Sequence, residues 1–186
     1  MTLYFRIFLI WMKSYFKGRL SFVKPIFTPF RVWPSDLDFF GHMTNSRYFN
    51  LMDAGRMDLL FSANLVKRLK ERGWYAVVVQ ETIQFRRALK PLVGFQLKTE
   101  VTGYDEKHFL IRQTFLKGGK VVALGLVRIR FLGADKSRVS PREVLDLAGV
   151  DTLESDWTIN PLEQEEYHYV QGLMNIENQA KDLGVS

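Results

Sequence analysis

The chain contains no cysteine. That absence removes disulfides, thiolate nucleophiles and cysteine-ligated zinc or iron–sulfur centres together, and it fits a cytoplasmic protein. Histidine is nearly as scarce. His42, His108 and His168 are the only three, so a multi-histidine metal site would need three distant segments to converge, and neither a metal nor another cofactor is expected. Internal repeats, linkers and low-complexity stretches are missing as well. So is any long apolar run: the one between Arg6 and Lys13 falls far short of the roughly 20 residues a membrane span needs. No small-residue cleavage site follows it, which argues against a secretory signal.

What is present suits one domain with a substantial core. Of 186 residues, 47% are hydrophobic, 25% charged and 14% aromatic, a balance that excludes extended disorder. The net charge of +6 directs attention to anionic partners: nucleic acid, an acidic membrane surface, or the phosphates of a small ligand. The basic residues are scattered, with small groups at Lys67-Arg68, Lys70 and Arg72 and at Arg86-Arg87. Without an arginine-rich run or a nucleic-acid motif, nucleic acid is not expected.

Leu3 to Phe16 reads as a helix. At about 100° per residue, Arg6, Lys13 and Lys17 share a stripe opposite Tyr4, Phe8, Trp11 and Tyr15. Two readings follow: contact of residues 3–17 with lipid headgroups, or packing on the protein itself or on a second subunit. Residues 1–24 are assigned to this amphipathic helix, 25–135 to the main domain, and 136–186 to a helical extension of the same domain. Pro141 and Pro161 are expected to start short helices there.

Within the main domain, Phe27 to Trp33 reads as a strand, and a loop from Pro34 leads to a helix capped by Thr44 or Asn45. Apolar residues then recur at helical spacing toward Arg72, with a break expected near Ser62-Ala63-Asn64. After Gly73 the period changes to two. Four strands follow: Trp74–Arg87, Phe95–Val101, His108–Leu116 and Val121–Leu132. Lys117-Gly118-Gly119-Lys120 marks a tight hairpin. On the last strand Val121, Ala123, Gly125, Val127, Ile129 and Phe131 are expected on one face. A long central helix across an antiparallel sheet of five to six strands is an α+β arrangement.

The loop carries Asp36-Leu37-Asp38-Phe39-Phe40-Gly41-His42-Met43-Thr44-Asn45-Ser46-Arg47-Tyr48, with Asp53 and Arg56 further along the helix. With the later segment Val79 to Leu89, this resembles the hot-dog thioesterases, and more narrowly the branch like 4-hydroxybenzoyl-CoA thioesterase. The similarity covers roughly residues 30–132. Thr44 stands where many relatives have asparagine, and Asp53 where glutamate is commoner. The resemblance implies a hot-dog fold, an acyl-CoA substrate, and a homodimer (or a tetramer) with its sites at the subunit boundary. The cytoplasmic location that the absence of cysteine fits is extended by the helix reading to the inner face of a membrane.

The resemblance makes Asp38 the group that attacks the thioester carbonyl or activates a water. Leu37, Phe39 and Phe40 are expected to keep it dry. His42 is assigned to positioning or to protonating the leaving thiolate. The backbone around Gly41 and the amides leading to Asn45 are expected to receive the developing oxyanion, with Asn45 capping the helix or donating to substrate. Tyr48 is a substrate contact or a core residue. Arg86 and Arg87 are candidates for the phosphates of coenzyme A. Asp36, and the pair Asp53 and Arg56, are expected to support the structure. A hydratase of acyl thioesters and a non-catalytic acyl-CoA-binding protein are the alternatives.

Overall fold

The computed structural model describes residues 3–16 and 19–150. Pro161, with the extension past residue 150, lies outside them. In chain order the elements are helix α1 (Leu3–Phe16), strand β1 (Ile26–Arg31), a single 3-10 turn (Pro34–Asp36), α2 (Asn45–Ser62) and α3 (Leu65–Glu71). They continue with β2 (Tyr75–Phe85), β3 (Gly94–Tyr104), β4 (Phe109–Lys117), β5 (Lys120–Leu132), β6 (Arg138–Val139) and α4 (Pro141–Ala148).

The long central helix divides where it was expected to. Asn64 takes a left-handed backbone, φ 54°, which asparagine tolerates better than most residues, and α3 restarts behind it. Pro141 opens α4 as expected. Ser140 caps it by accepting from the Glu143 amide, while Glu143 Oε2 accepts from the Ser140 amide at 2.8 Å.

The strands form one antiparallel sheet in the order β1-β3-β4-β5-β2, with the two-residue β6 joined to the end of β5. Alternation decides which face is covered. Phe95, Leu97 and Val101 of β3, Phe109, Ile111 and Phe115 of β4, and Ala123, Val127, Ile129 and Phe131 of β5 are all buried. The α2 helix lies on that face and approaches very closely. A Cβ on Gly55 would stand 2.7 Å from Leu97 Cδ2, and one on Gly125 would stand 2.4 Å from Met52 Cε. At Gly55 a Cβ would also meet Thr99 Oγ1 at 2.8 Å and Gln113 Nε2 at 3.0 Å, so glycine there lets the helix lie close to the sheet, whereas a Cβ at Gly125 would displace only the flexible end of Met52.

Three register shifts interrupt the ladders, one of them between Val101 and Gly103 in the β3–β4 pair, and the other two re-aim side chains near the helix. In β2 the register shifts between Val78 and Gln80, and in the β4–β5 pair it shifts so that Phe115 faces Ala123 while Leu116 faces Val121. The second shift takes Val121 off the face shared by Ala123, Val127, Ile129 and Phe131, correcting the expectation that it lies among them.

The α1 helix packs against α2, so α2 has neighbours on two sides. Its orientation reverses what an amphipathic reading suggests. Arg6 and Ile10 are buried, whereas Tyr4, Phe5, Phe8, Trp11 and Met12 are exposed. The basic residue goes inward because a buried carboxylate, Asp36, waits for it.

Candidate active site

The loop between β1 and α2 is built from its base upward. Asp36 is wholly buried and accepts from the Trp33 amide at 2.9 Å. Arg6 Nη2 donates to the same carboxylate, and Arg47 Nε stands 3.5 Å from its other oxygen. The Asp36 carbonyl accepts from the Thr44 amide at 2.9 Å, closing the loop's neck. Leu37 and Met43 pair across that neck, and the Met43 amide donates to the Leu89 carbonyl at 3.1 Å. These contacts tie the loop to α1 and α2 through Asp36. Its partner Arg6 was not foreseen, because nothing in the sequence links two residues thirty positions apart.

Above the neck, the chain folds around Asp38. One carboxylate oxygen, Oδ1, accepts from the Phe40 amide at 2.9 Å and the His42 amide at 3.1 Å. The Asp38 amide donates to the His42 carbonyl at 2.8 Å, and the Gly41 amide donates to the Asp38 carbonyl at 3.1 Å. Gly41 has φ +73°, a conformation that glycine adopts without strain and that lets the turn close. Asp38, His42 and Asn45 are all exposed. Oδ2 of Asp38 accepts no hydrogen bond among the described residues.

Three expectations are corrected here. Phe39 and Phe40 do not dry Asp38: they are 99% and 81% exposed. The amides of residues 40 to 44 do not await an oxyanion either, since each already has an acceptor within the loop or at Leu89. The donors left over are the backbone amides of Asn45 and Ser46 in the first turn of α2, where a helix has no internal acceptor to offer. Thr44 stands at the cap position without a side-chain cap bond, its hydroxyl lying 2.9 Å from that of Ser46. Tyr48 is the third. It is 2% exposed, with its ring edge-on to Phe85 and Phe115 at centroid distances of 4.9 and 5.0 Å, which makes it core instead of a substrate contact. Burial raises its phenol pKa, against a smaller lowering by the Leu89 backbone.

Arg56 anchors the helix beneath the loop. It is buried and donates to Asp53, to Glu81 Oε1 at 2.7 Å and to Gln113 Oε1 at 2.8 Å. Gln113, itself fully buried, donates to the Met52 carbonyl at 2.9 Å and Thr99 Oγ1 at 3.1 Å. The expected Asp53–Arg56 pair is therefore one arm of a network joining α2 to β2, β3 and β4. Its signal in the sequence was a polar residue at an inward position of an otherwise apolar strand. Arg86 and Arg87 are exposed just past β2, with both amides bound to the Val122 carbonyl.

Cavities of about 200 Å³ and about 440 Å³ flank α1; neither is lined by Asp38. Among the described residues, no three of His, Asp and Glu gather as ligands of a metal ion would.

The helix-across-sheet architecture is that of the hot-dog fold. The probable thioesterase YbaW from Escherichia coli superposes with a TM-score of 0.63 at 20% identity, over 67% of this chain and 96% of that one. A 1,4-dihydroxy-2-naphthoyl-CoA thioesterase from Synechocystis gives 0.61 at 11% identity, over 71% and 100%. The chain belongs to the thioesterase-like superfamily, whose family model matches residues 32–148. Among curated relatives, protein THEM6 of Xenopus laevis is 33% identical over 110 residues, 58% of this chain and 53% of that protein. The chain spans about half the length of the curated relatives it matches.

Proposed function

We propose that the protein hydrolyses an acyl-CoA thioester to the free acid and coenzyme A, with Asp38 as the reacting group. The observation that carries this is the state of the Asp38 carboxylate. One oxygen is fixed by two amides, and the other has no hydrogen-bond partner among the described residues. A carboxylate so held has its orientation set before substrate arrives. Its free oxygen either attacks the thioester carbonyl carbon or takes the proton of a water that does. The carbonyl oxygen becomes an oxyanion, to which the Asn45 and Ser46 amides and the positive end of the α2 dipole are suited. When the carbonyl re-forms, the carbon–sulfur bond breaks and the coenzyme A thiolate leaves. On the water route this gives the free acid; on direct attack it leaves a mixed anhydride with Asp38 that a water then hydrolyses to the free acid and the Asp38 carboxylate. That thiolate is a good leaving group, so the exposed His42 ring contributes little as an acid. Arg86 and Arg87 fit the coenzyme A phosphates, and such a substrate would be met in the cytoplasm.

The exposure of Asp38 and its aromatic neighbours argues that a second copy of the chain completes the site. The β2 strand offers the means. It is an 11-residue edge strand with Tyr75, Val78, Val79 and Phe85 exposed. Antiparallel pairing of two copies along it would continue the sheet and remove the bare edge. Sedimentation of the wild type as a dimer, and of Val78→Glu as a monomer, is the expected outcome. A wild type that sediments as a monomer would remove the shared site.

Hydrolysis is tested by offering purified protein a panel of aliphatic and aromatic acyl-CoAs and following thiol release beside Asp38→Asn. Release that vanishes in the variant supports the assignment. Equal release removes Asp38 from the chemistry, and no release with any acyl-CoA overturns the hydrolase reading. A single turnover in ¹⁸O-water that leaves label in Asp38 would identify direct attack with water opening the anhydride at the Asp38 carbonyl, because the general-base route labels only the released acid.

A further inference from the structure

The exposed aromatic residues of α1 form a ridge. Tyr4, Phe5, Phe8, Trp11 and Met12 are 84%, 49%, 49%, 48% and 40% exposed. Their spacing of i, i+1, i+4, i+7 and i+8 confines them to an arc of about 120° on a helix. Phe8 and Trp11 lie side by side, with ring centroids 6.0 Å apart. Large apolar side chains grouped in this way on a surface mark a docking face, whereas single ones do not. The ridge cannot be satisfied by turning the helix over, since its opposite side is committed: Ile10 is buried, and Arg6 is held in an ion pair with the fully buried Asp36.

Charge indicates what docks there. Residues 1–35 contain Arg6, Lys13, Lys17, Arg19, Lys24 and Arg31 and no acidic residue. The remaining twenty basic residues are matched by twenty acidic ones, so the whole net charge of +6 belongs to this segment. Arg6 is neutralised by Asp36, but Lys13, Arg19, Lys24 and Arg31 are exposed. No helix among the described residues is long and apolar enough to cross a membrane. An aromatic ridge on a segment with exposed cations, Arg19 among them with one guanidinium nitrogen on the Ala148 carbonyl, matches an anionic bilayer: rings enter the headgroup–acyl boundary while lysine and arginine meet lipid phosphates.

We propose that α1 docks the protein on anionic lipid surfaces through the ridge Tyr4, Phe5, Phe8, Trp11 and Met12, with Lys13, Arg19 and Lys24 supplying the electrostatic attraction. This does not depend on the thioesterase reading, because the ridge touches neither Asp38 nor its loop partners.

The test is co-sedimentation of the full chain with vesicles of phosphatidylcholine alone and of phosphatidylcholine containing phosphatidylglycerol. It is run beside Phe8→Ser/Trp11→Ser and Lys13→Glu/Lys24→Glu. The expected result is binding to the anionic vesicles that weakens as salt is raised and falls at least about tenfold in each double variant. Both variants should keep the wild-type melting temperature and thiol release, since the substituted side chains are exposed. The proposal is overturned by wild type that stays in the supernatant with anionic vesicles, by binding indifferent to the ridge variant, or by equal binding to both vesicle types. It is equally overturned if the ridge variant converts an oligomer to a smaller species in vesicle-free solution, which would make the ridge a contact between copies of the chain.

Discussion

Two aspartates stand two residues apart on one loop, and their surroundings are opposite. At the base, Asp36 is sealed from water and held by two arginines and an amide. At the tip, Asp38 is exposed, held through one oxygen only, by the amides of its own turn. The same functional group thus serves at one position to fix the chain and at the other remains available to a ligand. A buried carboxylate is kept charged only by permanent partners. A reacting one needs an oxygen left over.

The first way to break the comparison is at the tip. Asp38→Asn keeps an oxygen to accept from the Phe40 and His42 amides but loses the charge. Turnover should fall by about 10²–10⁴-fold with the melting temperature nearly unchanged, as read by thiol release and thermal unfolding. A variant that lost stability in proportion to activity would make Asp38 a second base residue. The next tests the base. Arg6→Met leaves Asp36 buried with only Arg47 beside it, and should cost up to about 3–5 kcal/mol in denaturant unfolding. Adding Asp36→Asn to Arg6→Met removes the stranded charge and should recover part of that loss, a recovery that distinguishes an ion pair from simple packing.

The smallest expected effect sharpens the boundary between base and core. Burial lifts the Tyr48 pKa above its ordinary value, so the folded state prefers the protonated phenol. Its contribution is fully present below about pH 10, the value for an unfolded chain, and is lost as pH rises through the higher folded value. Tyr48→Phe should therefore show a shallower loss of stability above pH 10 than wild type, measured as unfolding midpoint against pH.

Most of the fold was legible because it is periodic. The strands of alternating residues, the hairpin at Gly118-Gly119, the break at Asn64 and the start at Pro141 each depend on local spacing or local backbone chemistry. The loop motif was legible for the same reason, as a contiguous string. What escaped was set at long range. The inward turn of Arg6 depends on Asp36, the network around Arg56 on Glu81, Thr99 and Gln113, and the exposure of Phe39 and Phe40 on a turn that closes through Asp38. Local spacing does not show which polar side chain another element will meet, so the helical stripes of α1 were recognised while the side facing the protein was not.

The register shift at Val79 has a consequence for what the family can lose or gain in length. Ahead of it, Ala76 and Val78 stand opposite Phe131 and Ile129; beyond it, Glu81, Ile83 and Phe85 stand opposite Val127, Gly125 and Ala123. The extra residue changes the strand's parity from even to odd. The bulge takes up that residue, so Glu81 stays opposite Val127 and reaches Arg56, and Phe85 stays opposite Ala123 and reaches Tyr48. Deleting the extra residue would straighten the strand and leave both side chains opposite the same β5 residues, so the strand can lose one residue here. Deleting one between Glu81 and Phe85, where each residue is paired, would turn one of the two side chains to the opposite face and cut one of the ties between the sheet and the helix that follows Asp38.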